Sequence, residues 1–443
     1  MNGVLRNAFA ARRWRPPGAL GLGLLLAVGC FDDTAQAGDA EATAAALQAR
    51  GLLVVAGDYQ STALSRVDLD RELVVAPAFL HSGSALSGSG SALSGDVVAG
   101  RMAAGCACPE HAALVLDRGR GVVTRLRGLE VVGQLDVAGG FRSNPQDALG
   151  FDDEVWVARG EREPVGGAAI GPLGGGDDVL VVGHDAKVRA RLALSGLSTL
   201  GGGTAMAGSG AYDGDGWWLP LASISPDFQS VGPGRVVAIA REGAEATSTG
   251  GQGPTHALRV AATLDLPTLR NCRAARIATP STPRLVVACS GPFSADLPTQ
   301  VAQSGLAVFA LDATGQAHGA PLVLPASALG GRHVGFALDV EAAQPVAWFV
   351  STGAVAAAGG AVVADRLFRV DLVTQEASQR HLAAGAFSLG GLHVDAVRGR
   401  IWVVDHANLA GDLWILPLAG VDGQARRLRT SAGGLRALEL GPW

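Results

Sequence analysis

A strand-like run of Val, Leu, Ile, Ala and Trp returns seven times along the chain, at residues 52–56, 113–116, 155–158, 217–219, 285–289, 346–350 and 401–404. Recurrence at such a period constrains the fold more than any local motif, because each unit must bury its apolar faces against the next copy of itself. A second run follows at 64–69, 179–182, 235–239, 306–309, 367–372 and 413–416, bounded by Gly, Asp and Pro as short strands are. Further candidate strands precede the first runs at 148–151, 274–277, 333–338 and 393–397. With the run after each second strand, every unit has four strands, and no amphipathic helical period runs through the chain. Four-stranded units repeated radially make a β-propeller, here of seven blades. Residues 435–440 have no partner of their own, so they are expected to pair into the first blade and close the ring. The second unit has a poorly defined second run, which leaves six and eight blades as alternatives.

Composition agrees with an all-β scaffold. Of 443 residues, 48% are hydrophobic, only 5% aromatic and 17% charged, and 63 are Gly. Disorder needs low hydrophobicity and high net charge, and a coiled coil needs abundant Glu and Lys. A net charge of -5, with no basic block beyond residue 15, removes the electrostatic footprint of a nucleic-acid binder. The mean hydropathy of +0.27 comes from Ala, Val and Leu spread throughout.

The one long apolar run lies near the N-terminus. Arg6, Arg12, Arg13 and Arg15 form a basic region, residues 19–28 an apolar one, and Ala27-Val28-Gly29-Cys30 a small-residue cleavage site. The last four resemble a bacterial lipobox, with Ala27 where Leu is usual. That resemblance implies removal of residues 1–29, lipidation of Cys30, a tether over 30–50 and a propeller over 51–443. A multiply acylated Cys holds a membrane more firmly than one acyl chain. The expectation is therefore a lipid-anchored protein of the cell envelope, at the outer membrane, monomeric and without a cofactor. The alternative is a buried N-terminal helix with a core cysteine.

The arrangement resembles the YncE-like, YVTN-repeat propellers, and more closely a group of proteobacterial outer-membrane lipoproteins built on such repeats. The residues that carry the likeness are Ser143-Asn144-Pro145-Gln146-Asp147, Asp153-Glu154-Val155-Trp156-Val157-Ala158-Arg159, Leu269-Arg270-Asn271-Cys272 and Val286-Val287-Ala288-Cys289-Ser290-Gly291. The likeness covers roughly residues 52 to 440 and implies a propeller, with little to say about function.

Setting Cys30 aside leaves Cys106, Cys108, Cys272 and Cys289, an even set in an oxidising compartment. The segment Pro280-Ser281-Thr282-Pro283 reads as a hairpin turn whose centre is also the midpoint of Cys272 and Cys289. The two cysteines would then face each other across antiparallel strands, about 4.5 Å apart at Cα, within disulfide reach. Cys106-Ala107-Cys108-Pro109-Glu110-His111 allows two readings, a local disulfide or a soft-metal site built from two thiolates and an imidazole. It lacks the spacing of a haem-attachment or zinc motif, so no metal is assigned.

No catalytic motif survives inspection. Gly83-Ser84-Ala85-Leu86-Ser87 and its near copy at 90–94 are low-complexity loop, and the Gly-rich stretch at 174–176 precedes a strand rather than a phosphate-cradling helix. Gly330-Gly331-Arg332-His333-Val334 and Gly390-Gly391-Leu392-His393-Val394 align residue for residue, Gly433-Gly434-Leu435-Arg436 matches with Arg in place of His, and Asp147 stands in a similar place. Inner strands line the channel, so Asp147, His333, His393 and Arg436 form a candidate ligand site at one mouth; hydrated strand-end residues are the plainer reading. Trp156, Trp348 and Trp402 are expected to wedge between neighbouring sheets. Two functions follow: a binding or scaffold module for a protein, glycan or envelope component, and a metal-dependent, lactonase-like hydrolase at the central channel. The mixed Asp, His and Arg at the aligned positions favour the first, and fold analogy cannot choose between them.

Overall fold

The computed structural model describes residues 51–84, 90–103, 106, 108, 112–163, 173–242, 257–279, 281–293, 296–312, 314–355, 362–406, 412–418, 425–430 and 435–442. The expected signal peptide over 1–29, Cys30, the expected tether over 30–50 and His111 lie outside the described residues.

The chain forms a seven-bladed β-propeller of four-stranded antiparallel blades, with the short strand Arg101–Met102 added parallel to the inner strand of blade 3. In every blade the run that recurs in the sequence is the second strand from the channel, for instance Gly51–Gly57, Glu154–Arg162 and Arg400–Asp405. Blade 2, where the sequence was least distinct, supplies Val122–Arg127 as its third strand. The ring closes as expected, since Arg436–Pro442 pairs antiparallel with Gly51–Gly57 and becomes the inner strand of blade 1. Pairing the two ends of the chain in one sheet leaves no open gap between the last blade and the first. The longest helix among the described residues is Leu297–Ala302, and no helix among them is long and apolar enough to cross a membrane.

The core is distributed between blades. Each of the seven main hydrophobic clusters joins one blade to the next, including the last to the first, where Trp402 and Val404 meet Leu52 and Val54. Trp156 lies between blades 3 and 4 with Leu219 and Val237, and Trp348 between blades 6 and 7 with Ile401 and Val403. All three tryptophans are buried. Alternate residues of a strand face opposite sides, so both faces of these interior strands are apolar, which is why the runs read as continuous hydrophobic stretches.

Polar staples tie the outer end of one blade to the entry of the next. At the start of the third strand of blade 6, the buried Asp365 carboxylate accepts from the backbone N–H of Gly353, Phe387, Ser388 and Leu389. In blade 3 the equivalent Asp177 accepts from Ala205 and Met206, and in blade 5 Ser304 Oγ accepts from Val334. Beside them Arg159 and Asp178, both fully buried, form a two-pronged ion pair with contacts of 2.6 and 2.7 Å. Its fixed fork also donates to the carbonyls of Val137 and Leu173, so the charge has a full set of acceptors.

Two disulfides are present. Cys272–Cys289 joins the first two strands of blade 5 at facing positions, with Cα atoms 3.9 Å apart. Gly234 backs it, because a Cβ there would stand 2.3 Å from Cys272 Sγ. Cys106 is bonded to Cys108, which settles the sequence alternatives for that segment against a dithiolate metal site.

Candidate functional site at the channel mouth

The second-strand tryptophans fix the register of the channel wall. Opposite Trp348 on the innermost strand is Asp339, opposite Trp402 is His393, and opposite the equivalent Val286 is Arg276. Three consecutive blades thus present a guanidinium, a carboxylate and an imidazole at one height. Arg276 Nε is 3.8 Å from Asp339 Oδ1, and His393 Nδ1 is 3.6 Å from Asp339 Oδ2. The carboxylate also accepts from the Val394 N–H at 2.8 Å. Burial works against its charge, but His393, Arg276 and this N–H prevail and hold Asp339 below the usual carboxylate range. Burial and the nearby Arg101 push Arg276 down to about 10, against the pull of Asp339, Asp147 and Glu439.

Asp147 lies on the inner strand of blade 3, Pro145–Gly150. It is held by Arg101 at 2.5 Å and by the Gly210 N–H at 2.8 Å. Glu439, on the closing strand, completes the set of charges that reach Arg276. Burial pushes its carboxyl up to about 7, helped by Asp147 and opposed by Arg118, Arg101 and Arg276.

Of the four residues expected at this site, Asp147 and His393 face the channel charges. His333 does not pair with His393. It is buried, it precedes the strand Val334–Glu341, and its Nδ1 has no hydrogen-bond partner among the described residues. Burial lowers its pKa, against Asp365. The residue-for-residue alignment of the two glycine motifs therefore fails in space, since His393 corresponds to Asp339. Gly330 and Gly331 lie ahead of their strand with φ of 93° and 74°, whereas Gly391 is inside Leu389–Asp395. A Cβ on Gly391 would stand 2.3 Å from the Leu440 nitrogen, so Gly is needed where the inner strands of blades 7 and 1 approach. The backbone of Arg436 pairs with Gly57; its side chain lies outside the described residues.

Three residues nearer the strand entries, the channel opens into a cavity of about 340 Å³. Among the described residues its cations are Arg118, Arg142 and Arg273, and its carboxylate is Asp96. Arg118 donates to Asp96 through Nε at 2.8 Å and through Nη2. Arg273 donates to Gln146 Oε1 at 2.7 Å and lies 5.7 Å from the Phe336 ring centre, with no carboxylate partner among the described residues. Burial and the neighbouring Arg118 push its guanidinium down to about 10, so it keeps its charge at neutral pH. Asn144, Met206 and Asn271, which line the cavity, each adopt a left-handed backbone (φ 46°, 47° and 53°), Asn144 and Asn271 directly ahead of an inner strand. Phe228, with φ 59°, is exposed at the same rim. Left-handed backbone costs a bulky residue energy and clusters where function requires it.

Sequence reading missed Arg101, Arg118, Arg142, Arg273, Arg276, Asp339 and Glu439. The signal was present in register: Asp339 and His393 each stand nine residues before their tryptophan.

No protein-family model matches the chain, and no curated protein matches it. Solved structures do. A periplasmic gluconolactonase of Pseudomonas aeruginosa matches with TM-score 0.55 and 15% identity over 89% of this chain and 98% of that one. A Bacteroides uniformis protein described as a candidate 6-phosphogluconolactonase matches with TM-score 0.52 and 8% identity over 89% of this chain and all of that one. At these identities the likeness shows the propeller and nothing finer.

Proposed function

We propose that this protein is a ligand-binding propeller of the cell envelope, held to the membrane by lipid on Cys30, with its binding site at the channel mouth. The observation that carries the reading is the charge arrangement. Deep in the channel, Asp147 is engaged by Arg101 and Asp339 by Arg276 and His393. At the mouth, three arginines face one carboxylate among the described residues. Carboxylates already neutralised by guanidinium groups are poor ligands for a divalent ion, which needs several hard oxygens free to converge. Among the described residues, the only cluster of three metal-ligand types is Cys106, Cys108 and Asp152, and its two sulfurs are bonded to each other. A net positive mouth favours an anionic or polar ligand instead. The two disulfides suit an oxidising compartment, which supports export.

Binding is tested by a thermal-shift screen of envelope-derived metabolites and glycans on the purified protein. Hits abolished by Arg273→Met support a mouth site; hits unaffected by it contradict one. Anchoring is tested by Cys30→Ser, which should leave an unprocessed, unlipidated chain; normal processing would contradict the anchor.

A second reading, lactone hydrolysis, is favoured by the Asp339–His393 pair, in which the carboxylate orients an imidazole as a general base requires. Hydrolysis of glucono-δ-lactone above the uncatalysed rate, lost in His393→Gln, would establish it.

A further inference from the structure

We propose that the mouth cavity takes a small organic carboxylate with an apolar body, rather than a polyhydroxylated sugar; this rests on the mouth being the binding site. The commitments of the lining polar groups decide the ligand class. Among the lining amides, Asn144 Nδ2 donates to Glu161 Oε1 at 2.8 Å, while its Oδ1 accepts from Gln146 Nε2 at 2.8 Å. Gln146 Oε1 is occupied by Arg273, and Asn271 Nδ2 donates to Ser290 Oγ at 2.8 Å. Asp96 is occupied by Arg118. Each lining amide thus has at least one hydrogen-bonding position already taken within the protein.

The rest of the lining is cationic or apolar. Arg273 and Arg142 have no carboxylate partner among the described residues, and Met206, Ile224, Phe228, Phe293 and Phe336 supply the rest of the wall. Phe228, Phe293 and Phe336 are 44%, 45% and 54% exposed, an unusual expense of aromatic surface in a chain with 12 Phe. Aromatic faces exposed beside unneutralised guanidinium groups match a molecule that carries its charge at one end and an apolar surface at the other. Arg is suited to the charged end because its planar fork meets both oxygens of a carboxylate. A cavity of about 340 Å³ holds one ring and a short chain. Binding would place the carboxylate on Arg273, with Arg142 at the solvent side, and the apolar body against Phe336 and Phe293.

Isothermal titration of the purified protein with phenylacetate, benzyl alcohol and glucuronate tests the chemistry. Phenylacetate is expected to bind. Benzyl alcohol, which lacks the charge, and glucuronate, which lacks the apolar body, should bind at least about tenfold more weakly. Arg273→Met should weaken phenylacetate by about tenfold or more, and the exposed Arg142→Met, which disturbs no packing, by about two- to fivefold. Absence of phenylacetate binding, or equal affinity in both variants, would overturn the proposal. Glucuronate binding more tightly than phenylacetate, with loss in Arg273→Met, would overturn the ligand class and leave the mouth site standing. Binding of any of the three that ignores both arginines would overturn the mouth site itself.

Discussion

The seven blades meet the channel at one structural height, yet two arcs of that wall have opposite chemistry. In blades 1, 3 and 4 the residues opposite the second-strand anchor are Gly441, Leu149 and Ala211, and in blade 2 Gly100 donates to the anchor carbonyl of Leu114. In blades 5, 6 and 7 they are Arg276, Asp339 and His393. The blade plan is shared, and at this height the difference lies in the side chains. Repetition builds the ring; departure from it on adjoining blades makes the site.

Substitutions on the two arcs should fail in different ways. The largest effect is expected from the apolar arc: Leu149→Ala empties space beside Trp156 and should cost about 2–5 kcal/mol in urea unfolding, with ligand binding by the folded fraction preserved. On the polar arc, Asp339→Asn leaves Arg276 and His393 without their charge partner. Because all three retain some water contact, the cost should be smaller, about 1–3 kcal/mol, and Arg276→Met added to it should cost less than it does alone. A double-mutant cycle on unfolding free energies measures that coupling.

Two residues along the same inner strands, blades 1 and 3 carry Glu439 and Asp147, so the pH dependence reads charges from both arcs. Glu439 has its pKa raised from 4.5 to about 7, so the folded state holds the proton more tightly than the unfolded state. Its stabilising contribution is complete below about 4.5 and is lost as pH rises through about 7. Asp339, lowered, acts in the opposite sense, and its contribution is lost as pH falls through its folded value. Thermal unfolding across pH 4 to 8 should therefore show a falling component that Glu439→Gln reduces. The smallest effect is expected at His333: His333→Gln should leave ligand affinity unchanged and shift stability by about 1 kcal/mol or less, while the same change at His393 alters the polar arc.

The scaffold was legible because its second and third strands are buried on both faces and so appear as unbroken Val, Leu and Trp runs. The closing strand, the Cys272–Cys289 bridge and the wedged tryptophans followed from the same pattern. The channel was harder to read. Register slips between Val334 and Leu338 and between Leu389 and Leu392, so identical Gly-Gly-x-His strings occupy different depths. Counting from those glycines paired His333 with His393, whereas counting back from Trp348 and Trp402 pairs Asp339 with His393. The mouth arginines gave no signal at all, because they come from blades 2, 3 and 5 and only the closed ring brings them together.

The most direct test of the charge argument is metal content. The purified protein is dialysed against calcium and magnesium, washed, and measured by elemental analysis beside Asp339→Asn and Asp147→Asn. Carboxylates committed to guanidinium groups predict no stoichiometric ion in any of the three proteins. One tightly held divalent ion per chain, lost in either variant, would contradict the account and restore a metal-dependent channel chemistry.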